Sequence, residues 1–175
     1  MDPNQRQARE YSHLPVAGWS NWERAMVPLI PRFVRVGFES RGPAQAGLIC
    51  SSIRSAFPLQ ARRCGIYEWR AKGTLPHQPS HVVYLGSTCR SKPGALKGRI
   101  LEYCRNGSHK SDFINDALCR GYELWVRVKT VEGRNPSREN AEDMENALLA
   151  RYDYAWNIRN NGQIRHILPW CQHFL

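Results

Sequence analysis

Residues 64–89 read CGIYEWRAKGTLPHQPSHVVYLGSTC. Two β-prone runs, Cys64–Arg70 (CGIYEWR) and His81–Leu85 (HVVYL), flank residues 71–80, which carry Gly73, Pro76 and Pro79. Aromatic and β-branched residues suit a half-buried pleated surface, whereas Gly and Pro interrupt one. Two strands joined by so short a loop are expected to pair antiparallel. The rest of the chain is read outward from this hairpin.

Gly86 ends the second strand, and residues 87–93 form a polar loop carrying Arg90, Lys92 and Pro93. Gly94–Cys104 (GALKGRILEYC) reads as a helix with Leu96, Ile100 and Leu101 apolar and Lys97 and Arg99 off that stripe. Gly98 inside it costs about 1 kcal/mol relative to Ala, and either admits a close neighbour or is simply tolerated. Residues 111–120 read as a second helix with Ser111 as candidate N-cap, Tyr122–Val131 as a third strand, and 137–155 as a long helix capped by Ser137. Acidic residues crowd the first turns of that helix, where its dipole favours them. The order β–β–α–α–β–α predicts an α+β fold, a small three-stranded, mostly antiparallel sheet flanked by helices. Upstream, residues 1–14 read as a flexible arm. Trp22 and Met26 suggest one helical turn, and Ile49, Ile53 and Phe57 suggest a short helix over 45–57. The expected division is a helical or irregular extension over 1–60 packed on the core, a domain over 61–165 and a tail over 166–175.

The chain of 175 residues carries a formal charge of +10, of which +8 falls in residues 61–110, +3 in 1–60 and −1 in 111–175. A concentrated basic field favours a polyanion, most often nucleic acid; a solvated basic face is the bland alternative. No apolar run approaches the roughly 18 residues of a membrane span, so no membrane partner is expected. The cysteines are Cys50, Cys64, Cys89, Cys104, Cys119 and Cys171, with no CxxC pair. Without a secretory signal, disulfides are not the default expectation. The six are either scattered thiols or, in part, an Fe–S or Zn²⁺ site. An antiparallel hairpin brings Cys64 beside Cys89, while Cys104 and Cys119 end the two following helices. A ten-residue helix spans about 15 Å, which weighs against convergence of all four.

Four segments recur in order: Gly65-Ile66-Tyr67; Tyr84-Leu85-Gly86; a helix with Arg99 and Tyr103; and Glu145-x-x-Leu148-Leu149-x-x-Tyr152-x-x-x-Trp156-Asn157. Together, over about residues 64–162, they resemble the GIY-YIG nuclease superfamily, with Leu85 in place of the middle Ile. The loop from Gly86 to Arg99 is a few residues longer than in minimal members. Trp19-x-x-Trp22, Val82–Gly86, Tyr152–Asn157 and Asn161-Gly162 are similar to plant effector-of-transcription proteins, nuclear regulators built on such a domain. The Cys-rich zinc-binding repeats of many of them are absent from this sequence.

The resemblance implies the GIY-YIG fold, DNA as partner, a nuclear location, and a monomer or weak dimer; it indicates no partner protein. It implies Mg²⁺ or Mn²⁺ on Glu145, Tyr67 as general base or relay, Arg99 on the scissile phosphate, Tyr84 and Tyr103 orienting water and phosphate, and Asn157 bracing the site. Arg70, Lys72, Arg90, Lys92 and Lys97 are the expected DNA contacts. A phenol with pKa near 10 is a poor base, so a metal and nearby cations would have to favour the phenolate. Each residue also has an ordinary reading: Tyr67 and Tyr84 as packed strand aromatics, Arg99 as a solvated helix residue, and Glu145 as part of an exposed acidic run. Leu149, Tyr152 and Trp156, at +4, +7 and +11 from Glu145, place it at the border of a buried stripe. Two functions stay open: a divalent-metal-dependent DNA endonuclease or nickase, and a catalytically weak or inactive DNA-binding transcription or chromatin regulator.

Overall fold

A computed structural model describes residues 6–12, 17–28, 47–49, 64–74, 76, 78–91, 94–105, 108–133, 135–158 and 164–168. The elements are β1 (Gln7–Ala8), a 3-10 turn (Arg9–Tyr11), β2 (Glu23–Pro28), β3 (Gly47–Ile49), β4 (Cys64–Gly73), β5 (Ser80–Cys89), α1 (Ala95–Tyr103), α2 (Ser111–Cys119), β6 (Tyr122–Thr130), α3 (Arg138–Arg151) and β7 (Tyr152–Asp153). The expected hairpin is present as β4 and β5, paired antiparallel from Cys64↔Cys89 to Lys72↔Ser80. The fold is α+β, an antiparallel sheet flanked by helices.

The sheet is wider than the three strands expected. Its order is β3-β2-β6-β4-β5, so the N-terminal extension supplies two strands. Trp22–Met26 is not a helical turn: β2 pairs with β6, and a register shift between Arg24 and Met26 lets the consecutive residues Ala25 and Met26 both be buried. Gly47–Ile49 is a strand where a helix over 45–57 was expected; residues 50–57 lie outside the described residues. Within the expected flexible arm, β1 pairs parallel with β7.

Strand alternation sorts the side chains. On one face, Tyr67, Trp69 and Ala71 of β4 join Tyr122, Leu124, Val126 and Val128 of β6 under α1 and α2, in the main core. On the other face lie Ile66 and Glu68 of β4, with Leu85 of β5 packed against Leu149, Tyr152 and Tyr154. The core also takes Leu168, 4% exposed, from the expected tail.

The helices form where patterning placed them, with shifted ends. Ser111 is the first residue of α2 and Lys110 its N-cap; the Ser111 hydroxyl donates instead to the Ser108 carbonyl. Ser137 caps α3 in a capping box with Asn140. α3 stops at Arg151 rather than 155, because Tyr152 is extended (φ −125, ψ 145) and enters β7. Glu145 and Leu149 therefore share the helix, whereas Tyr152 and Trp156 reach the core from the segment beyond it. There Trp156 N–H donates to the Val83 carbonyl, and the Asn157 side chain both accepts from Leu85 N–H (3.0 Å) and donates to its carbonyl (2.9 Å). These bonds cover the outer edge of β5.

Glu68 is fully buried at mid-β4. Its carboxylate accepts from Arg9 Nε (3.0 Å), Arg127 Nε (2.8 Å) and the Tyr154 hydroxyl (2.7 Å). Glu68→Ala leaves two buried guanidiniums uncompensated, and is expected to cost about 3–5 kcal/mol in urea unfolding; a loss below about 1 kcal/mol would show that the cluster relaxes into water.

Candidate active site

Tyr67, from the centre of β4, and Tyr103, from the last turn of α1, are each 1% exposed; Tyr84, from β5, is 8% exposed. Their hydroxyls meet, Tyr67 to Tyr103 at 3.0 Å and Tyr84 to Tyr103 at 3.1 Å. Arg99, one turn before Tyr103 on α1, donates from Nε to the Tyr67 hydroxyl at 3.4 Å.

The glycines of the two tripeptides make this convergence possible. A Cβ on Gly86 would lie 2.5 Å from the Tyr67 hydroxyl and 2.7 Å from its Cζ, so the Tyr67 ring occupies the space a side chain would need. A Cβ on Gly65 would lie 2.5 Å from the Lys129 carbonyl oxygen and 2.9 Å from Leu96 Cδ1, on the helix that carries Arg99. Among the described residues nothing lies within 4 Å of a Cβ on Gly98, so no protein backbone approaches it closely.

Beside the tyrosines opens a cleft of about 260 Å³, lined by Ser87, Thr88, Arg90, Arg99, Arg138 and Glu142 among others. Arg99 belongs to both cleft and tyrosine cluster. Glu145 is half-buried on α3, and its charge adds to the forces that raise Tyr84.

A family model for GIY-YIG domain-containing proteins matches residues 56–167. The chain belongs to the GIY-YIG family. Among curated proteins, Protein EFFECTOR OF TRANSCRIPTION 3 of Arabidopsis thaliana is 33% identical over 73 residues, which is 41% of this chain and 25% of that relative. The chain thus matches about a quarter of that relative's length. No solved structure matches significantly.

Of the residues expected at a GIY-YIG site, Tyr67, Tyr84, Tyr103 and Arg99 are in direct contact, and Asn157 pins the middle residue of Tyr84-Leu85-Gly86. The basic residues divide. Arg90 lines the cleft but forms a bidentate pair with Glu102 (2.5 and 2.8 Å), which also accepts from Arg99 (2.9 Å). Lys97 is half-buried on α1, and Lys92 lies outside the described residues. Arg70 and Lys72 are not at this site. They alternate with Trp69 and Ala71 along β4, and so project from the opposite face of the sheet.

The cysteines are not brought together as a four-ligand set. Cys64 and Cys89 oppose each other in register, Cα atoms 4.0 Å apart, and form a disulfide, contrary to the expectation of free thiols. Cys104 is buried in the main core, apart from the small cluster holding Cys64, and Cys119 ends α2 half-buried. Among the described residues no three His, Cys, Asp or Glu gather as metal ligands. That donor set does not fit an Fe–S cluster or structural Zn²⁺. Mg²⁺ binds through one or two carboxylates and keeps several waters, and the half-buried Glu145, whose charge is felt at Tyr84, is a carboxylate that would hold it.

Three contributors lacked a sequence signal. Glu102 is read from periodicity only as a solvated helix residue. Hydrogen bonds from Arg90, offset in part by burial and joined by bonds from Arg99, hold its carboxyl down at about 2. His109 Nε2 stands 3.4 Å from the Tyr84 hydroxyl and 3.5 Å from that of Tyr103, and burial, with Lys110 and Arg99 nearby, lowers its pKa. Lys110 is 3% exposed and donates to the Trp156 carbonyl (2.5 Å), its Nζ 4.9 Å from the Tyr84 ring centre. The loop pattern over 105–110 carries no periodicity to single out either residue.

Burial works against the phenolate that a general-base role for Tyr67 needs. Burial, then the neighbouring tyrosines, raise Tyr67 well above its ordinary pKa, against the opposing pull of Arg99. Burial likewise raises Tyr84, and burial followed by Glu68 raises Tyr154. Unfolded, these phenols titrate near pH 10. The folded state binds their protons more tightly, so the stability they contribute is complete below about pH 10 and declines as pH rises above it. In a near-ultraviolet titration, these three of the seven tyrosines should ionise only as the chain unfolds. Ionisation of all seven near pH 10 in the native protein would contradict this packing.

Proposed function

We propose that the chain binds DNA and breaks phosphodiester bonds with the help of Mg²⁺ or Mn²⁺, acting on nuclear DNA. The reading rests on one observation: three buried hydroxyls meet beside Arg99, and Arg99 also lines a cleft that bears Arg90 and Arg138. Phosphodiester hydrolysis needs a grip on the phosphate and directed hydroxyls around it. Glu145 would hold the divalent cation, which when bound supplies a Lewis acid and a more acidic water.

The chain's own groups do the rest. Arg99 presents a planar fork to phosphate oxygens while its Nε stays on Tyr67. Tyr67, keeping its proton, orients through its hydroxyl. The contacts from Tyr67 through Tyr103 to Tyr84 and His109 form a path for a proton, ending on an imidazole that is neutral near neutral pH. Asn157 fixes the backbone beside Tyr84.

A second reading, DNA binding with little cleavage, is favoured by Glu102. Its carboxylate occupies both Arg90 and Arg99, restraining the groups a phosphate would need. The name of the Arabidopsis relative points the same way.

Nicking of supercoiled DNA with Mg²⁺ decides between them. Wild type is expected to nick, with Glu145→Gln and Tyr67→Phe each slower by about 10²-fold or more. Equal nicking by all three would sink the assignment of these residues. Salt-sensitive DNA binding without nicking would promote the second reading. Glu102→Gln, by releasing two arginines, is expected to steepen the salt dependence of binding.

A further inference from the structure

The face of the sheet opposite the tyrosines carries an alternating stack of rings and cations. The Arg127 guanidinium lies 4.5 Å from the Trp19 ring centre and 4.7 Å from that of Trp22. Arg70 follows, 4.4 Å from Trp22 and 5.5 Å from Trp125, and Lys72 Nζ ends the row 4.8 Å from Trp125. The order Trp19, Arg127, Trp22, Arg70, Trp125, Lys72 crosses from the extension to β4 and β6. α3 packs over β5 and β4, leaving this row beyond it on the same face.

The row's charges are unequally compensated. Arg127 is paired with Glu68, which it shares with Arg9, and Arg24, on neighbouring β2, with Glu123. Arg70 has no hydrogen-bond acceptor among the described residues, its Nε is buried without a partner, and Arg127 beside it is a like charge. Lys72, exposed at the end of the row, lies over the Trp125 ring and opposite Glu123 of β6, whose carboxylate already accepts from Arg24 and from Trp125 Nε1. Arg70 is half-buried, and the burial of its Nε without an acceptor leaves hydrogen-bonding capacity that a group from outside the chain can meet at its other donors. The rings hold Arg70 straight, so little rotamer freedom remains to be lost on binding.

We propose that this face is a second DNA-contact surface, in which Arg70 and Lys72 bind the phosphate backbone of a DNA segment separate from the one at the tyrosine cleft. Phosphate complements the uncompensated charge and supplies the missing acceptor. Arg70 and Lys72 lie towards the Gly73 end of β4, and the cleft lies at its Cys64 end beside Ser87–Arg90 of β5, so a short duplex seated on one leaves the other free, and the chain bridges two. The tryptophan faces are already capped by cations, so this contact reads backbone rather than bases. The proposal rests on the DNA-binding reading above but not on cleavage.

The test is stoichiometry with a duplex one helical turn long, by sedimentation at moderate salt, together with acetylation footprinting of lysines. Two duplexes per wild-type chain, with Lys72 protected by DNA, are expected. Lys72→Gln, at an exposed position and without a new charge opposite Glu123, should weaken binding of a longer duplex about three- to tenfold and reduce the salt slope by about one. Arg70→Gln should return the stoichiometry to one. One duplex per wild-type chain, with Lys72 acetylated equally with and without DNA, overturns this surface while leaving the cleft reading intact. Absence of any DNA binding by wild type overturns both.

Discussion

The carboxylate of Glu68 is the constraint on which the other contacts depend. It sits without solvent at the middle of β4, and three donors from distant parts of the chain end on it: Arg9, Arg127 and Tyr154. A buried carboxylate is tolerable only when its charge and lone pairs are answered, so these three segments must arrive together. Arg9 brings the N-terminal strand down, and Arg165 reinforces it by bonding Glu10 and Asp153 across the β1–β7 pair. Tyr154 brings in the segment whose next residues, Trp156 and Asn157, close the edge of β5. Arg127 is the register partner of Glu68, and sliding β6 by one residue would put a valine opposite the charge.

That register determines the opposite face. With Glu68 inward on one side, Tyr67 must point to the other, where the absence of a Gly86 side chain makes room for its ring. The two tripeptides of the family are in this sense one device. A tyrosine on one strand fills the volume released by a glycine on its neighbour, and the second tyrosine, two residues before that glycine, lies on the same hydroxyl network. Asn157 then holds the residue between Tyr84 and Gly86 by both its backbone groups. An error in strand register would break the glycine fit and the Glu68 cluster together.

The hairpin, the three helices and the third strand were legible because their signals are local: β-branched and aromatic runs, Gly and Pro at the turn, Ser137 before an acidic first turn. The tyrosines, Arg99 and Asn157 were legible only as a joint motif. β2 and β3 were not, because what makes Glu23–Pro28 a strand is the exposed edge of β6, which no window around Trp22 contains. The helix end at Arg151 was missed because the apolar spacing of Leu149, Tyr152 and Trp156 continues a helical period after the backbone has left it. The pairing of Cys64 with Cys89 followed from the hairpin, but the sequence could not say that the two sulfurs bond to each other. His109, Lys110 and Glu102 lay in no pattern at all, since their importance comes from which hydroxyl or guanidinium they face.

The excess charge of residues 61–110 first reads as one basic grip. The fold divides it by strand alternation and by pairing. Arg90 and Arg99 go to the cleft, where a carboxylate already holds them; Lys110 is spent inside, under Tyr84; Arg70 and Lys72 go to the far face, where the nearby carboxylate, Glu123, is bonded by Arg24 and Trp125 instead. Net charge by segment therefore says little about where a polyanion binds. What matters is which cations keep an unmet hydrogen-bonding capacity once internal partners are counted. By that measure the cleft is the restrained surface, needing Glu102 to yield before it grips a phosphate, and the ladder face is the one already prepared to do so.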